Sequence, residues 1–488
     1  MEEAEILRIL NKYNPWWEGK DIPPSKTSKF MRGDFYSFRN SLARREIISV
    51  IGPRRVGKTI IIHQLIQHLI KSGVDPKRVF YLSVDEDELS MREVKPNKEG
   101  AKIKDIFEMY SKYVIKTPLD SLKEMHYIFL DEIQEIPHWE KILKNWYDFG
   151  YNIKFIISGS SSIWISKGTE ESLLGRLKTT IMLPLKFSEV LRYRGVLDQN
   201  FHMIREPVRK SFIEAVLKND ISIFKEGLDK LLGSISGKRD DIEIQLNRYM
   251  TIGGYPEFLD EADYTKIGES VRDKIKLIFF KDIVRYFRIR NPGVLEDLFK
   301  LLCKQSGCNF NLAKTAALLD IQRPTLKDYL KYLTKAYLIK GSQYYSNSRK
   351  NRLRKQEKIY VLDAGIRNGE VNYIDDTLVG NDTELGFVVE SILFDHLTRL
   401  KFNLEPGPEP EIFYWKDNKE IDFIMSLRRK VIPIESKFRT VIPREVIETM
   451  KEFMSANKSP FGIIITKEEY RVEENIIKIP LWLFLLII

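Results

Sequence analysis

The 488-residue sequence predicts an α/β protein built from several domains. Three observations carry this expectation. Short apolar strands alternate with helical periodicities in the first half. A glycine-containing loop, GPRRVGKT, joins one such strand to the following helix. Two later blocks open with helices and close with strands. The first pattern indicates a parallel sheet covered by helices on both faces. The length exceeds what one hydrophobic core supports. The expected domains are residues 1–200, 201–290, 291–365 and 380–488.

In the first block, the apolar runs at 46–51, 79–84, 127–130 and 154–158 read as strands, and 59–71 carries helical spacing. Residues 201–290 read as helical, with one break at Gly253-Gly254 before Pro256. Residues 292–363 give two helices, the turn DIQRP, a third helix at 325–336, and strands at 337–344 and 358–362. The basic stretch SNSRKNRLRKQE separates these strands. This order is a winged-helix arrangement with the basic stretch as the wing. The last block reads as a helix at 384–400, strands at 413–415, 421–425 and 431–438, a helix at 443–456, and strands at 462–466 and 476–479. The ending LWLFLLII is read as a buried strand.

Composition narrows the class. With 43% hydrophobic and 30% charged residues the chain is globular rather than disordered. A formal net charge of +10 suits a polyanionic partner such as nucleic acid, and equally an ordinary basic protein. The acidic start MEEAEILRIL has no apolar core of a secretion signal. The apolar ending is shorter than the roughly 20 residues that span a bilayer, so no transmembrane segment is expected. Cys303 and Cys308 lack the partners of a zinc site and form no disulfide framework. A reducing, cytoplasmic location is expected.

Chemistry is legible first at 52–59. Gly52, Pro53, Arg54, Arg55, Val56, Gly57, Lys58 and Thr59 fit G-x-x-x-x-G-K-[ST], after a strand and at a helix start. Loop amides and the helix N-terminus face phosphates there. Lys58 would reach the β- and γ-phosphates of ATP, and the Thr59 hydroxyl would bind Mg²⁺. YIFLDE at 127–132 ends an apolar strand in two carboxylates. Asp131 would hold Mg²⁺ through water, and Glu132 would orient and deprotonate the attacking water. Ser158 and Ser160, in SGSSS after the next strand, are candidate γ-phosphate sensors.

GPRRVGKT, YIFLDEIQ, IISGSSS, SLLGRL and PLKFSEV together resemble the archaeal and bacterial AAA+-like ATPases that carry a C-terminal domain of unknown function. MTIGGYPEFL and KIYVLDAGI also resemble that family, over residues 30–488. The resemblance implies a RecA/AAA+-like ATPase core, a helical lid, a winged helix and a restriction-endonuclease-like tail. It also implies that Arg176, in SLLGRL, is an arginine finger acting on a neighbouring subunit of a ring or other homo-oligomer.

The tail offers a second site. Glu390 lies in the apolar stripe of its helix, where an unpaired carboxylate is costly to bury. If the next hairpin turns at 426–429, Met425 faces Lys430 and Asp422 faces Pro433. Glu435 is then diagonal to Asp422, and Lys437 shares its face. This set resembles the PD-(D/E)xK nuclease constellation. Asp422, Glu435 and Glu390 would hold Mg²⁺, or Mn²⁺ in its place, while Lys437 would orient the nucleophile or stabilise the transition state. Arg323, Lys327 and Lys331 on the third helix, and Arg349, Lys350, Arg352, Arg354 and Lys355 in the wing, would contact DNA phosphates. Lys358 is counted with the wing.

The expected activity is ATP-driven DNA processing, as a translocase, remodeller or helicase-like protein with a nuclease tail, acting on branched or unwound DNA in repair. The alternative is a nucleotide-gated signalling switch with an inert tail. A third reading docks the apolar ending on a membrane.

Overall fold

The structure, a computed structural model, describes residues 3–84, 101–136, 138–159, 173, 175–287, 289–406, 412–439 and 441–488. It divides into two compact units, Met1–Leu183 and Pro184–Ile488. Residues 184–200, expected with the ATPase core, therefore fall in the second unit. The lid, winged-helix and tail regions, expected as separate domains, form that one unit.

In the first unit, β1 (Ile47–Ile51), β2 (Val79–Ser83), β3 (His126–Asp131), β4 (Ile153–Gly159) and β5 (Leu177–Ile181) form one sheet in the order β2-β3-β4-β1-β5. All neighbours are parallel. β1 to β4 are almost wholly buried, as strands covered on both faces must be. β5 is half exposed and reads LKTTI, which explains why no apolar run announced it. The free edge of β2 is covered from the N-terminus. The Asn14 side chain accepts from Tyr81 N–H at 2.6 Å and donates to Tyr81 O at 2.9 Å. The indoles of Trp16 and Trp17 both donate to Val79 O at 2.9 Å. Polar side chains thus occupy groups that another strand could otherwise pair with.

The second unit begins with helices. His202–Lys218 and Ile221–Ser234 form a helical hairpin joined at Asn219-Asp220. Helices Pro292–Lys304, Leu312–Leu318 and Arg323–Lys335 then accompany a small antiparallel sheet of β6 (Asn309–Phe310), β7 (Ile339–Ser342) and β8 (Glu357–Val361), in the order β6-β8-β7. Where a basic loop was expected, a short helix, Arg349–Arg354, connects β7 to β8. A six-stranded mixed sheet follows, from β9 (Ile412–Lys416), β10 (Glu420–Leu427), β11 (Lys430–Ser436), β12 (Gly462–Thr466), β13 (Arg471–Glu473) and β14 (Ile476–Pro480). Its order is β13-β14-β12-β11-β10-β9. The two sheets are stitched together beyond β7. Tyr345 N–H donates to Tyr414 O at 2.6 Å, Tyr414 N–H to Gln343 O at 3.0 Å, and the Ser342 hydroxyl to Ile412 O at 3.0 Å.

Two expectations are corrected here. The β10–β11 hairpin pairs Leu427 with Lys430, Met425 with Ile432 and Ile424 with Pro433. Its turn is therefore Arg428-Arg429, both at positive φ (51° and 63°). Two-residue turns of this hand match the strand twist, but Arg-Arg carries no Gly or Asn to signal one. The ending LWLFLLII forms a helix, Leu481–Leu486, rather than a strand. Pro480 caps it, and a continuous apolar run does not by itself separate buried helix from buried strand. Residues 481–488 are all at most 5% exposed, which removes the surface that the membrane-docking reading needed. No described helix is long and apolar enough to cross a membrane.

Three of the family-like motifs meet at one carboxylate. Asp363 caps helix Ala364–Val371 by accepting from Ile366 N–H at 3.0 Å, and its other oxygen accepts from Gly254 N–H at 2.9 Å. Gly254 in turn lies against PLKFSEV, with Leu185 N–H donating to Gly254 O at 2.7 Å. A Cβ on Gly254 would sit 2.0 Å from Leu185 O, so only glycine fits. Burial pushes Asp363 up to about 6. Because this exceeds the unfolded value of about 3.9, the stability this group provides is full at low pH and falls as pH rises towards about 6. Asp363→Ala removes the cap and orphans a buried N–H. Urea unfolding is expected to show a loss of about 1–3 kcal/mol. A loss below about 0.5 kcal/mol would assign the junction to apolar packing instead.

Candidate nucleotide site and a second acidic cluster

The P-loop is shaped by its surroundings. β1 delivers Gly52 at φ 152°, where a Cβ would stand 2.0 Å from Met182 O. Helix Lys58–Lys71 starts directly after Gly57, so the loop amides open towards its N-terminus. The Lys58 ammonium is buried and donates to Gly52 O at 3.0 Å and Pro53 O at 2.9 Å. Arg32 braces the loop by donating to Val56 O at 3.0 Å and Leu183 O at 2.9 Å. Arg55 takes the left-handed backbone at φ 61° and is exposed.

Asp131, at the end of β3, is the buried centre of the site. Thr59 Oγ1 donates to its Oδ2 at 2.6 Å, and the Tyr81 hydroxyl donates to the same oxygen at 3.2 Å. The Ser158 hydroxyl, from β4, donates to Oδ1. Ser158 also accepts from Glu132 N–H at 3.4 Å. It therefore positions both carboxylate residues. Glu132 adopts φ 55°, a strained conformation for a non-glycine residue that turns its side chain away from the strand line. Gln134 Nε2 donates to its carboxylate. Burial raises the Glu132 pKa, with Asp131 adding to the effect and Lys58 opposing it. A carboxylate raised in this way is a stronger base near neutral pH.

These residues fit ATP and Mg²⁺. A hydroxyl and a carboxylate lie together at the phosphate end of the loop, beside a buried ammonium. The cation would neutralise phosphate charge and polarise the γ-phosphorus. Lys58 is placed to exchange loop carbonyls for phosphate oxygens. Glu132 is placed to take a proton from water. Sequence reading missed Tyr81, His63, Arg32 and Asn14. His63 packs its ring on Tyr81 at 4.6 Å and contacts Thr59 O at 2.8 Å. No local motif marks these four: Asn14, Arg32 and Tyr81 act through residues distant in sequence, and His63 sits one helical turn after Thr59 without belonging to the loop motif.

Ser160 lies outside the described residues. Arg176 stands just before β5, and its backbone O accepts from Ile47 N–H at the start of β1, the opposite end of the strand from the P-loop. Its guanidinium pairs with both Asp148 oxygens, at 2.7 and 3.1 Å.

In the second unit, one residue past the Phe423–Ile434 pair, Asp422 faces Glu435 directly rather than diagonally. The shift from the expected register is two residues. It preserves the faces and so preserves the convergence. Asp422 N–H donates to Glu435 Oε2 at 3.0 Å, and Ser436 N–H donates to Asp422 Oδ2 at 3.0 Å. Lys437 Nζ pairs with Glu435 and lies 4.0 Å from Asp422 Oδ2. Glu390, on helix Asp382–Leu404, is near enough that burial and Asp422 raise it to about 8. Lys358 is corrected: it is no wing residue. It is 3% exposed and its ammonium enters this cluster, 2.5 Å from Glu420 Oε1 and 3.8 Å from Asp422 Oδ1. Among the described residues no group of three metal-ligating side chains is close enough to hold an ion. The donors are chemically suited to a hard cation, but the arrangement as it stands is filled by ammonium groups and does not fit one.

Of the DNA-directed residues, Arg323, Lys327 and Lys331 form an exposed row on one helix face, opposite buried Leu326, Tyr329 and Leu333. Lys350, Arg354 and Lys355 are exposed on and after helix Arg349–Arg354. Arg352 turns inward, donating to Ser346 O at 2.6 Å and lying 4.8 Å from the Phe413 ring. The Arg349 side chain lies outside the described residues.

The parallel sheet, P-loop and paired carboxylates are those of a P-loop nucleotide-binding domain. A family model described as an AAA domain matches residues 44–191. Two domains of unknown function match further on, DUF8612 over 243–375 and DUF4143 over 385–484. Two uncharacterized proteins of Methanocaldococcus jannaschii are similar. One is 28% identical over 99% of this chain and 92% of its own length, the other 27% identical over 79% and 73%. Among solved structures, Aeropyrum pernix ORC1 in complex with DNA aligns at 13% identity and TM-score 0.29, over 75% of this chain and 97% of that one.

Glu132→Gln is expected to retain ATP binding while kcat falls by about 10²-fold or more. Because the base works ionised, the wild-type rate should rise with pH through a transition above the ordinary carboxylate range. A flat profile from acid to neutral pH would remove Glu132 from that role.

Proposed function

We propose that this chain couples ATP hydrolysis to the remodelling or translocation of DNA, as a homo-oligomer. The observation that carries the reading is the exposed row of Arg323, Lys327 and Lys331, with Lys350, Arg354 and Lys355 nearby in sequence, in a chain with a complete P-loop site. The helix–strand–helix–helix–strand–strand order, with the short helix Arg349–Arg354 set between the last two strands, supports a winged helix with Arg323–Lys335 in the recognition position. No base-reading pattern accompanies the cations, so the contacts are to phosphates and the affinity is largely independent of sequence. Arg176 serves the neighbouring subunit's nucleotide in this reading, and its pair with Asp148 breaks on assembly. Asp422, Glu435, Glu390 and Lys437 form a nuclease-like second site on an α/β tail, which would take Mg²⁺ or Mn²⁺ only once an ammonium group is displaced from its carboxylates. Forked or otherwise unwound DNA, as met in repair, is the proposed substrate.

Duplex or forked DNA should stimulate ATPase activity several-fold in wild type and not in Lys58→Ala. Replacing Arg323, Lys327 and Lys331 together by alanine should weaken binding on all sequences. It should also reduce the slope of log affinity against log salt by about 0.9 per lost contact. An unchanged slope would show that DNA does not lie on this helix. The nuclease arm fails if Mg²⁺-dependent cleavage is absent, or if it survives Asp422→Ala.

A second reading has one observation in its favour. The lysine-filled cluster suits an inert tail on a nucleotide-gated switch, and slow turnover that ignores DNA would support it.

A further inference from the structure

The acidic cluster is closed by residues that the six-stranded sheet does not supply. Lys358 comes from β8 of the three-stranded sheet. Its neighbours across the ladder are Ser342 on β7 and Asn309 on β6, so its backbone is held on both sides. Its side chain leaves that sheet and ends between Glu420 and Asp422, at the start of β10. The Tyr414 ring lies 5.5 Å from the ammonium, and the Tyr414 hydroxyl donates to Gln356 O at 2.5 Å, two residues before Lys358. The same small sheet also covers Glu390. A Cβ on Gly307, just ahead of β6, would lie 2.8 Å from Glu390 Oε2. Gly307 itself is fixed by its N–H to Ile359 O at 2.9 Å.

Asp422 therefore stands between two ammonium groups. Lys437, from its own sheet, approaches Oδ2 at 4.0 Å, and Lys358, from the neighbouring sheet, approaches Oδ1 at 3.8 Å. A buried ammonium and a divalent cation would compete for the same oxygens, because each needs the carboxylates' negative charge and the first excludes the second. The two lysines differ in one respect. Lys437 follows Glu435 on the same chain segment, whereas Lys358 belongs to the small sheet.

We propose that Lys358 is a built-in counter-ion that holds the Glu390–Asp422–Glu435 cluster closed against divalent cations. Divalent-cation binding there requires the Lys358 ammonium to be displaced, and Lys358 stands on the sheet joined to the Arg323–Lys335 helix. This inference rests on reading the cluster as a cation site.

The test is Mn²⁺ binding to the full-length, nucleotide-free protein, followed by the electron paramagnetic resonance signal of free Mn²⁺. Wild type, Lys358→Gln, Lys358→Arg and Lys358→Gln with Asp422→Asn are compared. Lys358→Gln should bind one Mn²⁺ at least about tenfold more tightly than wild type, the change expected for loss of one competing charge. Lys358→Arg should match wild type, and Asp422→Asn should abolish the gain. If Lys358→Gln fails to fold with Glu420 left to Lys416 alone, Lys358→Gln with Glu420→Gln removes both charges and should show the same tightening. Asp422-dependent binding that is equal in wild type and Lys358→Gln would overturn the lock and leave the cation site standing. Absence of Asp422-dependent binding in every variant would overturn both.

Discussion

Asp131 is 2% exposed, and three hydroxyls, from Thr59, Tyr81 and Ser158, converge on its two oxygens. A carboxylate withdrawn from water costs several kcal/mol unless its oxygens are satisfied, so the three strands and one helix that deliver these groups are bound to one arrangement. β2 brings Tyr81, β3 brings Asp131, β4 brings Ser158, and the helix after the P-loop brings Thr59. The sheet order β2-β3-β4-β1 is what puts them within reach. The N-terminal segment joins the same network, because Asn14 holds the Tyr81 backbone and Arg32 holds the loop carbonyl of Val56. The geometry of this site therefore depends on residues far outside the motif that announces it.

The second unit repeats the theme with another buried carboxylate and a different outcome. Asp363 satisfies both oxygens with backbone N–H groups, one at a helix start and one at the Gly253-Gly254 break. PLKFSEV, GGYPEF and VLDAGI stand out in the sequence because three segments approach one another at backbone distance, and small residues and a capping acid are what that approach tolerates. Their conspicuousness has a packing cause.

Between these cases lies the Asp422 cluster, where carboxylates are satisfied by side-chain ammonium groups. Ammonium groups on side chains are exchangeable partners in a way that backbone amides are not. Lys358 reaches the cluster from a different sheet, the one joined to the cationic helix.

Much of this was legible from local sequence. The four strands within 46–158 and the helix at 59–71 follow from apolar runs and spacing, whereas the helices Ala101–Met109 and Trp139–Asp148 were not read from the sequence. The P-loop is legible because all its determinants lie within eight consecutive residues, and the convergence of Asp422 with Glu435 because alternation along a strand survives an even register shift. What the sequence left open depended on partners distant along the chain. The Arg428-Arg429 turn was set by strand twist, and β5 by its pairing with β1 rather than by its own residues. The final apolar run became a helix behind Pro480, although its composition served either form. Tyr81 acquired its role from a strand order that no local pattern encodes. Lys358 sits in a stretch of exposed cations and looks like the rest of them. Only the tertiary fold sends it inward, because one strand position decides whether a long side chain meets water or a buried carboxylate.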